Sequence, residues 1–194
     1  MVLPDVLDAA HSFVARAVHE GEVGVDATVG NGHDTRFLAR QVGPAGRVFG
    51  FDIQETALDR TRERLRKTDG AAPVELFHAG HEQMRDRLPE GVCGGVSAVM
   101  FNLGYLPGSE SACITQPDTT RAALQAAAEV LRPGGVITVV VYTGHAGGEE
   151  EAEAVRQWAE AQPQDRLHVL SYAFVNQKNN PPHLLAIEKR RAAG

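Results

Sequence analysis

The feature that most constrains the fold is a regular alternation of apolar runs, helical patterns and turn signals along the chain. Apolar runs predict strands at residues 23–27, 47–52, 74–80, 96–103 and 136–142, with helical patterns between them. Two more β segments, residues 168–175 and 183–189, are joined by a polar loop and are typical of a hairpin. The sequence therefore predicts an α/β fold: a Rossmann-like, doubly wound, seven-stranded, mostly parallel sheet with a C-terminal antiparallel hairpin. Without a repeat or a long linker, we expect one domain over residues 1–194.

Composition disfavours several classes of protein. A net charge of -6 disfavours a nonspecific nucleic-acid binder, although an enzyme can still hold one folded RNA through a local basic patch. No apolar run approaches the ~20 residues that cross a bilayer, and the N-terminus lacks the features of a signal peptide. Cys93 and Cys113 form neither a disulfide framework nor a metal-ligand spacing. We therefore expect a cytoplasmic protein with no membrane contact and no metal.

The polar segments of the sequence follow the predicted strands. In doubly wound sheets, ligands bind beyond the carboxyl ends of the strands, where the strand order reverses. The segments at those ends are residues 26–34, 52, 80–81, 102–105 and 142–145. Because they are also the chemically richest segments, we expect the functional site to lie at this edge.

The segment DATVGNGHDT follows a strand and opens a helix, as a nucleotide-binding loop must. Gly30 and Gly32 permit positive φ and a close approach of backbone N–H groups. An acid at Asp26 would repel a pyrophosphate but would suit the methionyl ammonium of S-adenosylmethionine, and Asp52 can accept hydrogen bonds from ribose hydroxyls. The combination favours S-adenosylmethionine over a dinucleotide. Asp34 is explained equally well as an N-terminal helix acid.

The fourth strand delivers Asn102-Leu-Gly-Tyr105, which resembles the N-P-P-Y element of amino-group methyltransferases with Leu-Gly in place of Pro-Pro. The Asn102 side-chain oxygen can accept an N–H from an amine nucleophile, and Tyr105 can stack on a planar base. A polar cap at the strand end is the alternative for Asn102. His145, in YTGHAGG, is a candidate general base, whereas His33, His81 and His145 have no zinc spacing.

Four segments, DATVGNGHDT, FNLGYLPG, YTGHAGG and NQKNNPPHLLAIEK, together resemble a bacterial family long described as rRNA methylases. The likeness covers nearly the whole chain. The family is similar to class I S-adenosylmethionine methyltransferases in fold. Its members are understood to methylate the 5-aminomethyl group of the wobble (2-thio)uridine of tRNA to 5-methylaminomethyl.

The resemblance implies that Asp26, Gly30, Asn31, Gly32 and Asp52 hold the cofactor and that Asn102 and Tyr105 lie near the transferred methyl. The positions at the strand ends, and our inference from the remaining motifs, add the other site residues. Those expected to bind the cofactor are Asp26, Thr28, Gly30, Asn31, Gly32, Asp34, Asp52, Gln54, Gly80, His81 and Asn102. Those expected near the transferred methyl are Asn102, Tyr105 and His145. Those assigned to the tRNA anticodon loop are Tyr105, Tyr142, His145, Asn176, Gln177 and Asn180. Stacking and amide contacts to a splayed-out base need few positive charges.

The sequence is also compatible with other functions. The chain could methylate rRNA or a small amine, bind the cofactor without catalysis as a scaffold, or act as a dehydrogenase. The sequence does not fix the oligomeric state, and an exposed final hairpin would offer a surface for a homodimer.

Overall fold

The centre of the molecule is a seven-stranded sheet, seen in a computed structural model that describes residues 2–104 and 115–191. The strands are β1 (Val23–Asp26), β2 (Arg47–Asp52), β3 (Val74–His78), β4 (Val96–Leu103), β5 (Leu131–Val141), β6 (Leu167–Tyr172) and β7 (His183–Lys189). Their order in the sheet is β3-β2-β1-β4-β5-β7-β6. The first five strands run parallel, whereas β7 is antiparallel to both β5 and β6. The predicted fold class is confirmed.

Helices cover both faces of this sheet. They are α1 (Val6–Ala17), α2 (His33–Val42), α3 (Glu55–Leu65), α4 (Met84–Arg87), α5 (Pro117–Val130) and α6 (Gly148–Glu160). Apolar side chains of α1 and α2 pack in one cluster, and those of α4, α5 and α6 pack in another. A central parallel strand is thus buried on both sides, which explains why β4 is almost continuously apolar.

Side chains along β4 alternate between the two faces of the sheet, and this alternation determines which helices cover Asn102. Val99 and Phe101 belong to the cluster of α4, α5 and α6, whereas Ala98 and Met100 belong to the cluster of α1 and α2. Because residues two apart on a strand face the same side, Asn102 lies on the face covered by α1 and α2.

The structure differs from the predicted boundaries at the segment RPGG. The sequence predicts a turn there before the fifth strand, but β5 already begins at Leu131. Leu131 pairs with Val96 and Val136 pairs with Ala98, so residues 132–135 bulge opposite a single residue. Gly134 has a positive φ of 76° within this bulge. The glycines therefore bend a strand rather than precede one.

The spacing of apolar residues predicts a first helix over residues 4–20, but the observed α1 is shorter. It begins after the Asp5 side chain, which accepts a hydrogen bond from the Asp8 backbone at 2.9 Å, and it ends at Ala17 because Val18 is extended. Within residues 2–104 and 115–191, no helix is long and apolar enough to span a membrane.

Candidate functional site

The candidate site lies at the carboxyl edge of β1, β2 and β4. The chain runs outward from β1 to β3 and then returns to β4 beside β1, so the strand order reverses between β1 and β4. Asp26 and Asp52 are the last residues of β1 and β2, and Asn102 is the penultimate residue of β4. The structure thus brings together three residues that the sequence singled out.

Asp26 is fully buried and is hydrogen-bonded to two residues that follow β1. One carboxyl oxygen accepts a hydrogen bond from the Thr28 backbone at 3.1 Å, and the other accepts from the Thr35 hydroxyl at 2.6 Å. Burial, and then the charge of Asp34, raise the pKa of Asp26 to about 7. Since both oxygens are bound by groups of the protein, the predicted contact of Asp26 with a cofactor ammonium stays a prediction.

The two loop glycines have different neighbours. Gly30 has a φ of 51°, and its backbone N–H donates to Asp52 at 2.8 Å. Gly32 has a φ of 73°, and a Cβ placed there would lie 2.5 Å from the Thr61 hydroxyl oxygen of α3. Gly32 is therefore required by backbone conformation and by close packing on α3, independently of any ligand.

Arginine side chains of α3 brace the same loop. Arg64 donates from Nε to the backbone oxygen of Asn31 at 2.7 Å, and Arg60 lies 3.4 Å from the Asn31 side-chain oxygen. Arg62 instead pairs with Glu55 and Asp59 on its own helix. The arginines of this helix are typical of a basic RNA-binding patch or of a solvated face, and the sequence alone does not reveal that the helix supports the loop.

Asp52 ties the ends of the first two strands together. Its two carboxyl oxygens accept hydrogen bonds from the backbone N–H groups of Gly30 and Gln54, each at 2.8 Å. Burial raises the pKa of Asp52, although these hydrogen bonds oppose the rise. The contact of Gln54 with Asp52 is made by its backbone, and a role for its side chain stays a prediction.

The residues after β3 lie partly in the core. His81 is 7% exposed, and its ring packs at a tilt against Phe101 with a centroid separation of 5.8 Å. Burial lowers the pKa of His81. Gly80 precedes it in an extended conformation at the start of a 3₁₀ turn. Their contact with adenine stays a prediction.

Asn102 is held by a side chain of α2, which is in turn contacted by a side chain of α1. Its Nδ2 donates to Asp34 Oδ2, and Asp34 Oδ1 lies 2.6 Å from His11 Nε2 on α1. The Asn102 backbone N–H donates to the Thr28 hydroxyl at 2.7 Å. The remaining side-chain oxygen, Asn102 Oδ1, is buried and has no hydrogen-bond partner among the described residues. The site therefore contains an oriented, unsatisfied acceptor.

Sequence reasoning missed a buried glutamate on the other face. Glu151, in the first turn of α6, is 1% exposed. Its carboxylate accepts hydrogen bonds from the hydroxyls of Thr115 and Thr120, at 2.5 and 2.6 Å. Thr115 also exchanges hydrogen bonds with the backbone of Gly104, at 3.1 and 3.3 Å. Glu151 thus anchors Thr115, which is in turn hydrogen-bonded to Gly104 on the other side of residues 105–114.

The segment after β5 adjoins the end of β4. The Tyr142 backbone N–H donates to Leu103 at 3.2 Å, and His145 Nε2 lies 3.3 Å from the position of a Cβ on Gly104. Burial, followed by the charge of Asp34, raises the pKa of Tyr142. Tyr142 and His145 are therefore beside the strand end that carries Asn102, whereas Tyr105 lies outside the described residues.

The amide-rich loop between β6 and β7 begins and ends near the same edge. Val141, at the end of β5, pairs with His183, at the start of β7. Asn176, Gln177 and Asn180 are exposed, and Asn180 has a positive φ of 47°. Their assignment to a substrate stays a prediction. In the part of the chain that is described, no group of three or more His, Cys, Asp or Glu residues is placed to hold a metal ion.

Comparisons with known proteins find matches described as methylases or methyltransferases. The model of the family described as "Putative rRNA methylase" matches residues 48–188. A crystal structure with the same description, from Clostridium thermocellum, is 43% identical with a TM-score of 0.92, over 97% of this chain and all of that one. A "putative methyltransferase" from Streptococcus mutans in complex with SAH is 35% identical with a TM-score of 0.86, over 96% of this chain and 99% of that one.

One curated relative names a substrate. An Arabidopsis thaliana protein named "tRNA (mnm(5)s(2)U34)-methyltransferase, chloroplastic" is 40% identical over 164 residues, which are 80% of this chain. The aligned part spans 59% of that relative's length. A shorter likeness, 33% over 85 residues, relates 44% of this chain to 28% of "Ribosomal RNA small subunit methyltransferase H" from Dictyoglomus turgidum.

Proposed function

Because the chain belongs to the rRNA methylase family whose model it matches, we propose that it is an S-adenosylmethionine-dependent methyltransferase of tRNA. The proposed reaction converts the 5-aminomethyl group of the wobble (2-thio)uridine to 5-methylaminomethyl. The name of the Arabidopsis relative supports the substrate, and the SAH complex of the Streptococcus mutans protein supports the cofactor. We further propose a single domain, a cytoplasmic location and the tRNA anticodon loop as partner.

The observation that carries the proposal is the oriented carbonyl of Asn102. Because Asp34 accepts from Asn102 Nδ2, Oδ1 is the end of the amide left to accept. A buried acceptor without a partner costs about 1–3 kcal/mol, and an N–H of a bound primary amine would remove that cost. Asn102 can thereby orient the amine so that its lone pair faces the reacting methyl carbon.

The edge of the sheet suits the proposed cofactor. Asp52 is only partly buried and retains lone pairs beyond its two backbone contacts, so it can accept the ribose hydroxyls. The loop of Gly30 and Asn31, braced by α3, would border the methionyl group. S-adenosylmethionine would supply an electrophilic methyl on a sulfonium: as the amine nitrogen bonds to the methyl carbon, the carbon–sulfur bond breaks, S-adenosylhomocysteine leaves and the amine releases one proton. Positioning the amine against this methyl is the task of this chain's residues.

The substrate would be reached from the side of β5 and β7. Tyr142 and His145 lie beside Asn102's strand end, and the loop with Asn176, Gln177 and Asn180 leaves the same edge. We propose that these residues contact the anticodon loop. A pocket that reads one unpaired base by stacking and amide hydrogen bonds is compatible with a net charge of -6.

The test is transfer of a labelled methyl group to tRNA that carries the 5-aminomethyl nucleoside, followed by digestion and mass spectrometry of nucleosides. We expect the 5-methylaminomethyl nucleoside to appear with wild type and to be strongly reduced with Asn102→Ala. Ribosomal RNA and small primary amines serve as parallel substrates. Label in rRNA but not in tRNA would overturn the proposed substrate, and the absence of transfer to all three would overturn the activity.

A further inference from the structure

Three side chains from three separate elements form a hydrogen-bonded chain behind the end of β4. His11 comes from α1, Asp34 from the first turn of α2, and Asn102 from β4. Asp34 is 8% exposed, and each of its oxygens has one side-chain partner, His11 Nε2 at 2.6 Å and Asn102 Nδ2. Since a carboxylate only accepts, His11 carries its hydrogen on Nε2 and donates it.

Asp34 decides which end of the Asn102 amide faces away from it. The oxygen and nitrogen of an amide are nearly the same size, so a half-turn of the group exchanges them at little steric cost. A carboxylate next to Nδ2 favours one orientation, because the other would bring two acceptors together. If the amide turned, Asn102 would present N–H groups to the amine and could not accept from it.

His11 in turn fixes Asp34. Without His11, Asn102 would be the only side-chain partner of the Asp34 carboxylate. The carboxylate could then rotate, and one of its oxygens would be almost buried with no hydrogen-bond donor. His11 is itself held, since its ring lies flat on Phe37 with centroids 3.9 Å apart and an interplanar angle of 5°. The charge of Asp34 contributes to the raised pKa of both Asp26 and Tyr142, which places it among the groups of the site.

We infer that His11 is a positioning residue for methyl transfer, acting through Asp34 on the orientation of the Asn102 carbonyl. The inference rests on the proposed function and deepens it. It assigns a role to α1, which lies outside the residues 48–188 that match the family.

Two substitutions separate hydrogen bonding from packing at this position. His11→Phe keeps a ring on Phe37 but removes the donor, whereas His11→Gln loses the stacked ring but places an amide donor near the former Nε2. We expect kcat for tRNA methylation to fall roughly 10- to 100-fold in His11→Phe, as for a displaced reacting group. We expect His11→Gln to stay within about threefold of wild type, and cofactor Kd to change less than about twofold in both.

A merely structural role predicts the reverse ranking. Loss of stacking in His11→Gln would then lower the midpoint of thermal unfolding and the activity more than His11→Phe does. Wild-type kcat in His11→Phe, or equal loss of kcat in both variants, would overturn the inference. His11→Leu provides a second variant without a donor if His11→Phe does not fold.

A spectroscopic measurement keeps this test independent of the activity. The side-chain NH₂ resonances of Asn102, assigned by their loss in Asn102→Ala, report the hydrogen bond to Asp34 in the protein without substrate. We expect them to shift in His11→Phe and to stay near wild type in His11→Gln. Unchanged resonances in His11→Phe overturn the inference, whereas a failure of wild type to methylate tRNA overturns only the proposed function.

Discussion

Replacing Gly32 with Ala tests whether this glycine is kept for packing on α3. The new Cβ would lie 2.5 Å from Thr61 Oγ1 and 2.8 Å from Thr61 Cγ2, at a φ of 73°. A left-handed conformation costs a residue with a Cβ about 1–2 kcal/mol, and an overpacked contact costs about 1–3 kcal/mol. We therefore expect Gly32→Ala to lower the free energy of unfolding by roughly 2–5 kcal/mol, measured by urea denaturation without cofactor.

Two further variants separate the two costs. Gly21 also has a positive φ, 86°, but a Cβ there meets nothing within 4 Å, so Gly21→Ala should show only the backbone cost of about 1–2 kcal/mol. In a Thr61→Ala background, Gly32→Ala should lose about 1–3 kcal/mol of its effect, because the two closest atoms, Oγ1 and Cγ2, are gone and only Thr61 Cβ, at 3.0 Å, remains. Additivity of the two substitutions within about 0.5 kcal/mol would refute the packing argument.

Two other predictions concern buried carboxyl groups. The pKa of Asp26 is raised to about 7, so above pH 3.8 the unfolded state loses a proton that the folded state keeps. The protonated Asp26 carboxyl therefore stabilises the folded state at low pH. This stabilisation is lost as pH rises toward 7, and the equilibrium constant for unfolding increases by up to tenfold per pH unit. Urea titrations should show this loss in wild type but not in Asp26→Asn, and equal pH profiles would contradict it. Glu151→Gln should cost about 1–3 kcal/mol, since one of the Thr115 and Thr120 hydroxyls loses its acceptor. Glu149→Gln, at an exposed position, is the control, and its free energy of unfolding should stay within about 0.5 kcal/mol of wild type. Similar losses of stability in both variants would contradict a role of Glu151 in binding the two threonines.

The sequence predicted the sheet well because its signals there are local. Strand β4 matches its predicted bounds, since apolar runs between turn residues depend on burial alone. The strand-end residues Asp26, Asp52 and Asn102 could be grouped in advance, because parallel strands bring their carboxyl ends to one edge. The apolar pattern did not indicate the bulge at residues 132–135, since a bulge depends on how two strands pair.

The residues that support the site were less predictable. His11 is a single histidine on an amphipathic helix, and nothing in its neighbourhood signals that α1 packs beside α2 at Asp34. Glu151 ends a run of three acids, two of which are exposed, so the sequence alone does not separate the buried one from solvated neighbours. Such contacts join distant segments, and only the packed chain shows them.

The link between Gly104 and Thr115 has a consequence for how this scaffold can diversify. Two hydrogen bonds join Gly104 to Thr115, and the Glu151 carboxylate accepts a third from the Thr115 hydroxyl. The entropy of closing a loop grows slowly with its length, by about 0.6 kcal/mol for each doubling. Insertions between Gly104 and Thr115 that keep Tyr105 should therefore cost little stability, which leaves the chain length between these two residues free to vary.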